Sequence, residues 1–176
     1  MNSLLQLARE SIKAKLEGKE IKIPEKIKKQ YSKKQACFVT LTILGELRGC
    51  IGSLLPRQEL WKDIIENAIN AAFNDPRFPQ LTKAELSKVK IEISILTIPK
   101  KLEYKTPEDL LKKIKNKGVI IKQGWNQATY LPQVWDELSQ PEQFISSLCM
   151  KAGLSPNTWK QEKLQVQVYD VEKIED

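Results

Sequence analysis

The chain of 176 residues contains no histidine. Any proton transfer it performs near neutral pH must therefore run through carboxylates, lysine, tyrosine or water, because the side chain that ordinarily titrates there is missing. Cysteine is scarce as well. Cys37, Cys50 and Cys149 show neither zinc-ligand spacing nor a disulfide framework, and free thiols of this kind fit a reducing cytosol. No apolar run approaches the ~20 residues needed to cross a membrane. The opening stretch MNSLLQLARESIKAKLEG has neither a long apolar core nor a small-residue cleavage site. Internal repeats, low-complexity tracts, a Walker loop and a dinucleotide fingerprint are all missing too. These absences predict a soluble cytoplasmic protein with no bound metal or cofactor.

Arginine is also sparse. The formal net charge is +7, which raises the question of nucleic acid or an anionic surface. The basic residues are overwhelmingly lysine, however, and they are interspersed with acids, with local excesses across Lys13–Lys34 and Lys100–Lys122. Specific recognition of phosphates and bases leans on arginine, so this pattern reads as a solvated surface and disfavours sequence-specific nucleic-acid binding. With 41% hydrophobic residues the chain can fill the core of one domain.

What is present centres on Cys37 to Gly52, CFVTLTILGELRGCIG. Cys37, Val39, Leu41 and Ile43 alternate with Phe38, Thr40 and Thr42, the period of a half-buried strand. Gly45 supplies a turn. A three-residue loop of Leu44, Gly45 and Glu46 would face Ile43 with Leu47, Leu41 with Gly49 and Val39 with Ile51, gathering the apolar residues on one side. On the other side Thr42 would oppose Arg48 and Thr40 would oppose Cys50. A cation two residues from a thiol favours the nucleophilic thiolate. Gly49 and Gly52 would add openness, since glycine in a strand marks a bulge or the close approach of a ligand or another backbone. The plainer alternative is a tight hairpin with a small apolar Cys50 and a solvated Arg48.

Elsewhere the periodicity predicts helices over Ser3 to Glu17, with a Ser3–Gln6 capping box, and over Gln58 to Asn74, with Trp61, Ile64, Ile65, Ala68, Ile69 and Ala72 as its buried stripe. Gly18 to Lys34 reads as a docked basic connector. The helix over 58–74 must stop at Asp75-Pro76-Arg77-Phe78-Pro79. Asp75 and Arg77 either pair there and cap the helix end, or Arg77 offers a planar fork to a carboxylate or phosphate. Val89 to Thr97 is a strand carrying Glu92 in its middle, where glutamate is depleted. Glu92 is either exposed or cross-strand paired, or it is the proton-transfer group of a site without histidine. Thr106 opens a helix running to about Lys117, and Gly118 to Gln123 with Ala128 to Leu131 forms a second hairpin with Trp125 at its tip. Pro132 to Leu138 and Pro141 to Gly153 are short helical segments, the second with a core Cys149, and Lys163 to Val171 closes the chain as a strand.

LRGCIG, preceded by FVTL and followed by DPRF, resembles the signature of the AMMECR domain family, also called system protein A of the AmmeMemoRadiSam group. The similarity continues through IEISILTIP at 91–99, YLPQVW at 130–135 and LCMKAGL at 148–154, ending with Trp159. The resemblance implies a mixed α+β fold, predominantly antiparallel sheet with flanking helices, in two unequal lobes with a cleft between them, and a single AMMECR-type domain over residues 1–176. It implies a cleft position for Arg77. It also implies an association with radical SAM and MEMO-like proteins in a shared modification pathway. Many relatives have a histidine just before the glycine matching Gly118; Lys117 stands there in this chain, so no role of that histidine carries over.

Three functions fit the sequence. The first is an enzyme, or its substrate-holding half, acting on a small molecule or modified biomolecule, with Cys50 as nucleophile, Arg48 as anion clamp, Thr40 as hydrogen-bonding neighbour and Glu92 as proton-transfer group. In this reading Gly49, Gly52, Asp75 and Arg77 complete the pocket. The second is a binding module that uses LRGCIG and DPRF without turnover. The third is nonspecific nucleic-acid binding through the lysine-rich surface.

Overall fold

The computed structural model describes residues 2–176. In chain order its helices and strands are α1 (Ser3–Glu17), α2 (Glu25–Gln30), β1 (Cys37–Ile43), β2 (Glu46–Gly52), α3 (Leu60–Phe73), α4 (Lys83–Leu86), β3 (Val89–Leu96), β4 (Lys100–Lys101), α5 (Pro107–Ile114), β5 (Gly118–Gln123), β6 (Asn126–Tyr130), α6 (Pro141–Lys151), α7 (Thr158–Gln161), β7 (Gln165–Tyr169) and β8 (Val171–Glu175), with a 3₁₀ turn at Pro132–Asp136. The fold is α+β. It has two four-stranded sheets, ordered β2-β1-β3-β8 and β4-β7-β5-β6. β1 pairs antiparallel with β2 and β3, β5 with β6 and β7, and β4 with β7. The first compact unit comprises the chain up to Ile98 together with Glu172–Asp176, and the second is Pro99–Val171.

In the first unit, α1 and α3 lie against the sheet and bury the alternate residues Cys37, Val39, Leu41, Ile91 and Ile93. Asn2, not a Ser3–Gln6 box, caps α1, its side chain accepting from the Leu4 N–H at 2.9 Å. The connector docks as its apolar residues imply, with Ile21, Ile23, Ile27 and Tyr31 packed on the core. Helix α3 differs from expectation in its buried stripe. Leu60, Ile64, Ala68, Ala71 and Ala72 go inside together with two polar residues, Asp63 and Asn67, while Trp61, Ile65 and Ile69 stay half-buried. The polar pair is satisfied by β1. The Asp63 carboxylate accepts from the Cys37 N–H at 2.9 Å, and the Asn67 amide donates to the Cys37 carbonyl at 3.1 Å.

The β1–β2 turn is tighter than the sequence suggested. Ile43 pairs with Glu46, leaving only Leu44 and Gly45 in the turn, both at positive φ (53° and 87°). Two such residues match the right-handed twist of the strands they join. The count is restored by a bulge between Leu41 and Thr42, so that Thr42 faces Leu47 while Leu41 faces Gly49, Thr40 faces Cys50 and Val39 faces Ile51. The far half of the expected register therefore holds and the turn-proximal half does not.

The second unit buries Trp135 flat on Phe144, ring centroids 3.8 Å apart, among Leu110, Val119, Ile121 and Leu148. Trp125, at the β5–β6 turn, is fully exposed. The expected terminal strand is broken at Asp170: β7 belongs to this unit's sheet, and β8 crosses to the edge of the first. Tyr104 closes the second core, its hydroxyl donating to the Leu164 carbonyl at 3.2 Å and accepting from the Leu164 N–H at 2.8 Å. Tyr104→Phe strands both buried backbone groups and is expected to cost about 2 kcal/mol, read as a lower urea midpoint with an unchanged slope. An unchanged midpoint would mean water replaces the hydroxyl.

Candidate functional site

The register of β1 with its two neighbours sets Cys50, Thr40 and Glu92 in one row across the sheet, on the face opposite the helices. Cys50 is half-buried. Thr40 Oγ1 donates to its sulfur at 3.3 Å. Beyond Thr40, Glu92 is cross-strand paired: Oε2 lies 2.8 Å from Lys173 Nζ on β8, and Oε1 accepts from Ser94 Oγ at 3.4 Å. The bond to Glu92 first, and then the one to Glu175, raise the Lys173 ammonium above its ordinary pKa. Of the two readings offered for Glu92, the paired one describes its surroundings.

Strand β2 is an edge, so the outward N–H and C=O of Cys50 have no strand to bond. The turn after α3 takes that place. Asp75 Oδ2 accepts from the Cys50 N–H at 2.9 Å, and Arg77 Nη2 donates to the Cys50 carbonyl at 3.3 Å, as a neighbouring strand's carbonyl and amide would. The two side chains also clasp each other, Nε on Oδ1 at 3.0 Å and Nη2 on Oδ2 at 2.7 Å, and Oδ1 takes the Arg77 N–H at 3.1 Å. The Asp75 side chain is 2% exposed and that of Arg77 is 53% exposed. The Arg77 guanidinium, and after it the Cys50 and Arg77 amides, hold the Asp75 carboxyl well below the usual carboxylate range against the opposing effect of burial. Proline at 76 makes this possible by stopping the helix and turning the chain back toward β2.

Arg48 is the correction. It was expected opposite Thr42 beside the thiol, but it is the extra residue of the bulge, which re-aims it. Its guanidinium forks onto Glu85 of α4, Nε on Oε1 at 2.8 Å and Nη2 on Oε2 at 3.3 Å, and its Nη1 is buried with no hydrogen-bond partner. Glu85 also closes a capping box with Thr82. Arg48 first, then the Thr82 amide, pull its pKa down to about 2. The spacing Thr82-x-x-Glu85 is the local signal that could have pointed to this box; its capture of Arg48 has no such signal, because nothing local marks a bulge.

The glycines add close packing, not openness. A Cβ at Gly49 would stand 2.1 Å from the Ala71 carbonyl oxygen of α3, and one at Gly52 would stand 2.4 Å from the Cys37 carbonyl oxygen and from Phe38. The other thiols are buried: Cys37 and Cys149 have no exposed surface, and burial pushes both above the ordinary thiol value. Cavities of about 450 and 230 Å³ lie away from Cys50. The first is an apolar groove of Ile21, Ile23, Trp61, Ile65 and Ile69, and the second lies between Leu7 of α1 and Ile21 and Ile27. Among the described residues, no three His, Cys, Asp or Glu side chains converge as a metal would require, and no helix is long and apolar enough to cross a membrane.

The family model for AMMECR1 matches residues 5–174. The chain belongs to the AMMECR1 family. Among similar AMMECR1-type chains, Protein NEQ441 of Nanoarchaeum equitans is 40% identical over 176 residues, covering 96% of each chain. A protein of Aquifex aeolicus is 40% identical over 178 residues, covering 98% of this chain and 90% of that one. The crystal structure of the uncharacterized protein PH0010 from Pyrococcus horikoshii superimposes with a TM-score of 0.86 at 36% identity, over 98% of this AMMECR1 chain and 89% of that one.

Proposed function

We propose that the Cys50 face of the first sheet is the ligand-binding surface of this AMMECR1 domain, receiving a small molecule or a modified group on a larger biomolecule with the Cys50 sulfur as its contact point. One observation carries the reading. Cys50 is the only one of the three thiols that is not buried, and its sulfur, N–H and carbonyl are each held by a different side chain, Thr40, Asp75 and Arg77. Such over-determination of one half-buried residue fixes the direction in which the sulfur is presented. Two features favour binding over turnover: Arg48 is spent on Glu85, and Glu92 on Lys173. The resemblance to the AmmeMemoRadiSam group supports placing the ligand in a pathway shared with radical SAM and MEMO-like proteins.

A thermal-shift screen of small molecules tests which surface is used. A ligand at a hundred times its Kd stabilises by about 2.7 kcal/mol. The stabilisation is expected to vanish in Cys50→Ala and to persist in Ile69→Ala, which alters the apolar groove. The opposite pattern would move the ligand to the groove and end this reading.

A further inference from the structure

The chain as a whole is strongly cationic at +7, yet the charges on the Cys50 face of the first sheet and along its β2 edge cancel. On its face of the sheet β1 offers only Phe38, Thr40 and Thr42, and β2 offers Cys50 and Gly52. Strand β3 contributes Lys90 and Glu92, two residues apart and so on the same side. From β8, Lys173 bonds Glu92 at 2.8 Å and Glu175 at 3.1 Å. At the strand edge Arg77 is matched by Asp75, and where β2 bulges Arg48 is matched by Glu85. Arg48, Arg77, Lys90 and Lys173 thus equal in number Asp75, Glu85, Glu92 and Glu175, and three of the four cations are bonded to those carboxylates. Both guanidiniums are bidentate on carboxylates, the geometry that would otherwise grip a ligand's carboxylate or phosphate.

From this balance, and resting on the reading of this face as the ligand surface, we infer that the group received at Cys50 is uncharged: an electrophile or hydrogen-bonding group without a formal charge, with carboxylates and phosphates given no advantage despite the basic chain. To take the Nε–Nη2 fork of either guanidinium, an anionic ligand would have to displace Asp75 from Arg77, or Glu85 from Arg48. Displacing Asp75 would also release the Cys50 N–H. An uncharged group needs none of these pairs broken.

Iodoacetamide and iodoacetate test this directly. With each, the Cys50 sulfur forms a C–S bond as the C–I bond breaks and iodide leaves, so the reagents differ chiefly in the negative charge one of them carries. Rates at Cys50 are measured by peptide mass spectrometry at ~0.01 M salt, where fields reach ~30 Å, and their ratio is compared with that of a small neutral thiol. The expected ratio lies within about threefold of the reference. Asp75→Asn, which frees Arg77 beside Cys50, should shift it toward iodoacetate by about tenfold. Glu92→Gln, two strand spacings away, should shift it by about threefold. Iodoacetate favoured tenfold or more in the unaltered protein overturns the inference, and so does a ratio that neither variant moves. Failure of both reagents to reach Cys50 would instead remove the ligand surface itself.

Discussion

Replacing Gly49 by alanine is expected to cost about 3 kcal/mol, near the upper end of what forcing a methyl into a packed core usually costs. For a chain of this size that is roughly 6–12 °C in melting temperature. The reason is the 2.1 Å separation a Cβ would have from the Ala71 carbonyl oxygen. That oxygen belongs to α3 and cannot swing aside as a side-chain end could, so either the helix lifts or β2 bends. Gly45→Ala is the control. Gly45 has open space around it but sits at φ 87°, and the substitution there should cost about 1 kcal/mol through backbone strain alone. Equal losses at the two positions would show that α3 does not approach β2 as closely as described.

Asp75→Ala carries the second large effect, and it bears on the site as well as on stability. The substitution removes the acceptor of the Cys50 N–H and of three Arg77 donors. Breaking a buried ion pair costs 3–5 kcal/mol when the remaining charge stays buried. Arg77 is half-exposed and can rehydrate, so about 3 kcal/mol is expected. The pH dependence has a definite sign. The folded Asp75 carboxyl titrates below its unfolded counterpart, so it binds fewer protons in the native state through the acid range, and its contribution is complete above the ordinary aspartate value of ~3.9. The difference between wild type and Asp75→Ala should therefore be flat from about pH 5 to 8 and shrink as pH falls below ~4. Glu85, lowered to about 2 by Arg48, adds a loss of the same sign between its ordinary carboxylate value and about pH 2. It persists in the Asp75 variant and separates the two groups. A difference that grows on acidification would contradict the assignment of Asp75 as the ionised partner.

Much of this arrangement was legible in the chain. Period-two alternation in Cys37–Ile43 and Val89–Leu96 fixes which residues face the core, and that depends only on the pleat. The adjacency of Thr40 and Cys50 followed from the hairpin, and the stop at Asp75-Pro76 from the missing donor of proline. One error lies within the hairpin itself, and the others depend on contacts between segments far apart in sequence. Arg48 was misplaced by a bulge, one extra residue balanced by a turn one residue shorter. The apolar period does not place Asp63 and Asn67 in the buried stripe, because a helix pattern does not reveal that Cys37 offers a buried N–H and carbonyl to satisfy them. A closing strand over Lys163 to Val171 omits Lys173, because the chain breaks at Asp170 and starts a new strand in the other sheet. The bond between Asp75 and the Cys50 N–H spans 25 positions and has no local signal; only the conjunction of an edge strand with a carboxylate in a proline turn could have pointed to it.

The claim on which the rest depends is that Cys50 alone presents a usable sulfur. Alkylation of the folded protein by iodoacetamide across pH 6 to 9, with Cys37, Cys50 and Cys149 followed separately by peptide mass spectrometry, tests it most directly. Cys50 should react at least about 100-fold faster than the two buried thiols, whose labelling must wait for local opening, and Cys50→Ser should abolish the fast phase. Three thiols reacting together at one slow rate set by unfolding would contradict the account and leave the hairpin a structural element only.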